Sequence, residues 1–238
     1  MVRPSTEDRD PKRVAPELIR LHGFPISNYY NRIKMALKIK GLEFTEVRAA
    51  PTQNEDYLKI NPLGVIPTLE IDGLFLAETH PTLEYLDDRF PDTTPLMPKD
   101  ALDRHRVRQL VNYIDIHLDK PLRMLRDFHN AGKTTSPVLD DLVVKEITQA
   151  TESINRVARY SPYIAGNEIT LADCAAYCTI PWFELLAERH LARNPLSALR
   201  GFHEYKTFLD QNPDFAEIHK TADKQIRVLE RAKKFASR

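Results

Sequence analysis

Residues 18–22 carry Ile19 and Leu21 on one side and Arg20 and His22 on the other, the period of a strand with one buried face. Gly23-Phe24-Pro25 breaks that pattern. Ser27 to Asn31 then leads into a segment with Ile33, Ala36 and Leu37 on one helical face. Lys38 and Lys40 followed by Gly41 give a basic last turn and a glycine cap, which predicts the helix end. Residues 42–47 predict a second strand, so strand–helix–strand is complete within about thirty residues, the length of a βαβ unit. Residues 51–60 predict a short helix or an irregular segment. Thr68-Leu69-Glu70-Ile71 and Leu74-Phe75-Leu76-Ala77 are β-prone runs separated by Asp72-Gly73. That dipeptide supplies the two positive φ angles of a type I′ turn, so an antiparallel hairpin is expected. Pro67 stands at its mouth, where a missing N–H is tolerable. Leu83 and Leu86 predict a helix that starts after Glu78 and ends near Phe90.

The pattern changes after residues 91–98, which hold three prolines and no periodicity and read as a linker. Val107, Leu110, Val111, Ile114 and Leu118 then fall at helical spacing, continued by Leu122 and Leu125. Pro121 should kink or end that helix. Residues 132–137 predict a turn, and 138–160 a second long helix. Thr170 and Asp173 have capping-box spacing at the start of a third. Further helices carry Trp182, Leu185, Leu186, Phe208 and Leu209, and a basic tail follows. The fold class is therefore an α/β domain followed by an all-α domain. The boundaries are a disordered polar arm over 1–16, an α/β domain over 17–90, a linker over 91–98 and a helical domain over 99–238.

Charge narrows the partners. Lys and Arg number 34, as do Asp and Glu, so no net charge favours nucleic acid or an anionic membrane. No apolar run approaches the roughly 20 residues of a membrane-spanning helix, and the first residues lack the apolar centre of a secretion signal. Cys174 and Cys178 are the only cysteines. They offer no disulfide framework, and with no further ligands nearby they read as buried small hydrophobes rather than a metal pair. A cytoplasmic location, no metal and no membrane are the expectations.

Residues 61–79, NPLGVIPTLEIDGLFLAET, have the order N-P-x-G-x-[IV]-P-x-L, hairpin, Glu-[Ser/Thr], helix. This resembles the glutathione-binding half of the cytosolic glutathione transferases. Gly166 to Asp173 is similar to the segment that opens the buried central helix of the same superfamily. The resemblance covers residues 18–215. It implies a thioredoxin-like N-terminal domain with a cis-proline loop, an all-α C-terminal domain, a homodimer, glutathione as co-substrate and a small electrophile as its partner. In the family, Val65, Ile66 and Pro67 would meet the peptide backbone, and Glu78 and Thr79 the γ-glutamyl group. Several branches carry glutamine where this chain has Val65, so one side-chain contact is missing.

Such an enzyme must ionise a thiol whose free pKa is near 8.5. A donated hydrogen bond and a helix N-terminus both favour the anion. Ser27 occupies the turn between the first strand and first helix, five residues before Arg32, the spacing of the serine-type branches. Its ordinary reading is an N-cap serine. Asn28 is the neighbouring alternative. Tyr113, His117 and Met124 are candidate electrophile contacts by position, with core packing or solvent exposure as the competing reading. The resemblance implies conjugation of glutathione to an electrophile. Two other outcomes stay open: a glutathione-dependent isomerase or dehalogenase, and a non-catalytic binding protein.

Overall fold

A computed structural model describes the backbone of residues 18–191 and 193–236, with side chains as far as residue 228. The arm expected over 1–16 lies outside the described residues. The first half contains β1 (Ile19–Gly23), α1 (Asn28–Ile39), β2 (Thr45–Arg48), α2 (Glu55–Leu58), β3 (Thr68–Ile71), β4 (Leu74–Leu76) and α3 (Thr79–Arg89). The sheet order is β2-β1-β3-β4, with β1 parallel to β2 and antiparallel to β3. Asp72 and Gly73 both have positive φ, 50° and 81°, as a type I′ turn requires. β2 begins at Thr45 rather than at residue 42, and the reason is local. The Gly41 N–H bonds to the Lys38 carbonyl and the Leu42 N–H to the Leu37 carbonyl, so a Schellman cap takes up the first residues of the expected strand.

The second half is helical: α4 (Ala101–Asn112), a π-helical stretch (Tyr113–Asp119), α5 (Lys120–Asn130), α6 (Pro137–Val157), α7 (Leu171–His190), a 3-10 turn (Pro195–Ala198), α8 (Phe202–Leu209) and α9 (Pro213–Ala236). Pro121 does not end the first long helix. Its missing N–H and its ring are incompatible with a regular turn, and the backbone widens just before it. The Lys120 N–H accordingly bonds five residues back, to the Asp115 carbonyl.

α7 is the centre of the helical half, buried along most of its length. Its start is held by Asp173, whose carboxylate accepts from the Thr170 N–H at 2.7 Å, the Ile164 N–H and the Tyr205 hydroxyl. Burial pushes the Asp173 carboxyl up to about 6 despite those bonds. Cys174 and Cys178 are buried free thiols, and burial pushes Cys178 up to about 12. α1 packs on α7 and joins the two halves. The linker is fastened from below. The Lys40 ammonium, fully buried, meets Asp87 at 2.9 Å and the Thr94 carbonyl, while Asp87 also accepts from the Leu96 and Met97 N–H groups.

Candidate active site

A cavity of about 790 Å³ lies at the junction of the two halves. One wall comes from the α/β half: Tyr29, then Val65-Ile66-Pro67, then Glu78-Thr79-His80. The other is one face of α5 and the π-helical stretch, with Asp115, Asp119, Arg123, Met124 and Phe128.

The Val65–Pro67 loop is shaped by its neighbours. The Ile66–Pro67 bond is cis. Asn61, 1% exposed, donates to the Val65 carbonyl at 2.9 Å and to the Thr68 hydroxyl at 3.1 Å. Tyr57 donates to the same Val65 carbonyl. Gly64 has φ +67°, and a Cβ there would stand 2.3 Å from the Thr52 carbonyl oxygen, so only glycine fits.

Glu78 precedes α3 with φ 66°, uncommon for a residue with a side chain. Its carboxylate does not cap α3 and makes no hydrogen bond or ion pair among the described residues. An exposed acid held in a costly backbone conformation, aimed at a cavity and without an internal partner, fits an ammonium-bearing ligand. Thr79 and the free N–H groups of α3 beside it fit a carboxylate. The site therefore suits a zwitterionic α-amino acid end.

Ser27 is the N-cap of α1, and its Oγ accepts from the Tyr30 N–H at 3.3 Å. Its hydroxyl hydrogen has no acceptor among the described residues. It is half-buried in the turn next to Tyr29 and is not part of the cavity wall. Asn28 faces the other way. It is 4% exposed, donates to Thr179 Oγ1 at 3.2 Å and accepts from Arg123 at 3.1 Å. Both ends of its amide are engaged, which makes it a tie between α1, α5 and α7.

Below the cavity lies a charged layer that the sequence did not suggest. Arg32 is buried and meets Asp115 at 2.6 Å and Thr179 Oγ1 at 2.8 Å. Burial alone would lower its pKa, but Asp115, Tyr29 and Asp119 together outweigh it and the net direction is up. Tyr29 donates to Asp119 at 2.7 Å, and Arg123 pairs with the same carboxylate. Burial and the adjacent Asp119 raise the Tyr29 phenol well above its ordinary value, so it is no source of protons here. The one sequence signal for this layer was the four-residue spacing of Asp115, Asp119 and Arg123.

The three electrophile candidates do not share one space. Tyr113 and His117 face a second groove, between the π-helical stretch and α6, where His117 lies 3.2 Å from Glu146. Met124 borders both spaces. Among the described residues no group of three or more His, Cys, Asp or Glu is placed to hold a metal. No described helix is long and apolar enough to cross a membrane.

A small mixed sheet with a cis-proline loop, joined to a helical domain across a polar cavity, defines the glutathione transferase fold. The family models for the glutathione S-transferase N-terminal and C-terminal domains match residues 21–94 and 136–205. A glutathione S-transferase of Pseudomonas putida is 30% identical over 87% of this chain and 93% of its own length. The chain belongs to the glutathione transferase superfamily of enzymes. A protein of Drosophila melanogaster named "Probable maleylacetoacetate isomerase 2" is 25% identical over 79% of this chain and 82% of its own. Among solved structures, a Drosophila mojavensis glutathione transferase homologue with bound glutathione superposes with a TM-score of 0.72 at 24% identity, covering 87% of this chain and 94% of its own.

Proposed function

We propose that this enzyme binds glutathione in the 790 Å³ cavity and transfers it to a small electrophile. The observation that carries this reading is the free Glu78 carboxylate beside Thr79 and the α3 N-terminus, facing the cis-proline loop. Glu78 would pair with the γ-glutamyl ammonium, and Thr79 with the neighbouring carboxylate. The backbone of Ile66 would bond the cysteinyl unit in the manner of an added strand. The thiol would then reach the start of α1, where the Ser27 hydroxyl is free to donate to sulfur and the helix N-terminus favours negative charge. Ionisation releases the thiol proton to solvent, and the thiolate forms the C–S bond as the leaving group departs with its electron pair. The engaged amide of Asn28 favours Ser27 as the donor.

A homodimer is part of the reading, supported by Leu74 and Phe75, which are 51% and 37% exposed on the edge strand β4. The two buried free thiols fit a reducing, cytoplasmic setting. The named isomerase relative favours one second reading, in which glutathione adds to a substrate and is released again. Isothermal titration with glutathione, followed by assays with a nitroaryl halide and with a cis-enedione acid, separates these readings. Binding with aryl turnover supports transfer, and binding with isomerisation alone supports the second reading. The absence of binding overturns both.

A further inference from the structure

The charged groups around the cavity can be paired off one by one. Asp115 has Arg32, Asp119 has Arg123, and Asp127 has Arg126 at 2.6 Å. His80 lies 3.0 Å from Glu84. Glu78 is left for the ligand's ammonium. Two lining residues remain, Lys120 at the start of α5 and Lys133 just beyond its end. Both are exposed, and among the described residues neither side-chain ammonium makes an ion pair or hydrogen bond. Between them α5 presents Met124 and Phe128, 41% and 38% exposed, opposite Val65 at 42%. Two cations without partners thus flank an apolar strip that itself lacks a cover.

We propose that Lys120 and Lys133 make this cavity selective for electrophiles with an apolar body and a carboxylate. The inference rests on the glutathione reading above and adds the substrate class to it. The apolar body would lie on Met124, Phe128 and Val65, and the carboxylate would reach one of the two ammonium groups. The same lysines offer another role, receiving the glycyl carboxylate of glutathione itself, and the test separates the two.

Two glutathione conjugates serve as probes, an S-nitrobenzoate and the matching S-nitrobenzamide, which differ only in the charge of one substituent. Their affinities and that of glutathione are measured by calorimetry on the full chain and on Lys120→Gln, Lys133→Gln and the double variant. The intact protein should bind the carboxylate conjugate only about two- to fivefold more tightly, because exposed ion pairs contribute little individually. That preference should vanish in the double variant and shrink with added salt, while the affinity for glutathione stays the same. Equal affinities for the two conjugates in the intact protein overturn the proposal, as does a preference that survives in the double variant. A parallel loss of glutathione affinity assigns the lysines to the glycyl carboxylate and also overturns it. Failure of glutathione itself to bind removes the underlying reading instead, and with it this one.

Discussion

Glu78 and Arg32 are both charged, but the structure leaves one carboxylate free and buries the other charge with a partner. Glu78 has a free carboxylate and no capping role, so Glu78→Ala should weaken glutathione binding by about 1.5–3 kcal/mol, the range for losing a hydrogen bond to a charged group. Thermal stability should change little, and the dissociation constant from calorimetry checks this. An unchanged constant contradicts the assignment. Arg32 is the opposite case. Its side chain is 2% exposed, and Asp115 is its charge partner. Asp115→Ala leaves a buried guanidinium without compensation and should cost about 3 kcal/mol or more of folding stability. Urea unfolding reads that loss, and a variant as stable as the parent contradicts it. The sequence identified Glu78 by its place in a motif, but Arg32 appeared there only as a spacing marker. Its partners, Asp115 and Thr179, are more than eighty residues away, and no local pattern links them.

At the scale of elements, the clearest local signals were those whose chemistry is complete within a few residues. The Asp72-Gly73 turn and the Thr170–Asp173 start of α7 are of this kind. Asp173 also carries a pH dependence. Its folded-state pKa is raised to about 6 from an ordinary 3.8, because burial disfavours the charged form. Between those values the folded protein binds more protons than the unfolded chain, so this group favours folding at low pH and the contribution is lost as pH rises through about 6. The stability advantage of the parent over Asp173→Asn should therefore shrink from pH 4 to pH 7, by about 2–3 kcal/mol. Denaturant unfolding at several pH values checks this, and an advantage that grows with pH contradicts it. The π-helical stretch was less legible. Pro121 announced a disturbance, but periodicity says nothing about whether a helix breaks, bends or widens. Tyr113 and His117 lie within the widened stretch and face α6, whereas Met124 follows it and borders both spaces, so three candidates chosen for one space divide between two.

At the scale of the molecule, the two halves are held together by groups that look like surface residues in the sequence. Lys40 reads as the basic last turn of a helix, yet its ammonium is buried against Asp87 and the linker. Asp87→Ala would leave that ammonium and the Leu96 and Met97 N–H groups without their acceptor. The cost should be about 3–5 kcal/mol, and unfolding should remain a single transition because α1 still packs on α7 across the two halves. Fluorescence and circular dichroism monitored during urea unfolding test this, and separate transitions in the parent contradict it. The order of elements was legible because each half has its own hydrophobic period. The cavity was legible mainly on its α/β wall, where the motif lies in one continuous stretch, and on the α5 wall only at Met124. The rest of the α5 wall becomes apparent only once the fold brings it opposite.

The central claim is that Ser27 donates to the sulfur of bound glutathione. Ultraviolet absorbance of the bound thiolate, followed across pH in the parent, Ser27→Ala and Asn28→Ala, tests it most directly. Losing a hydrogen bond to a charged sulfur costs about 1.5–3 kcal/mol, so Ser27→Ala should raise the apparent pKa of the bound thiol by about 1–2 units. Glutathione affinity should stay nearly intact in that variant. Asn28→Ala should lower stability, since its amide ties three helices together, and should leave the titration where it was. A titration that moves in Asn28→Ala and not in Ser27→Ala contradicts the account.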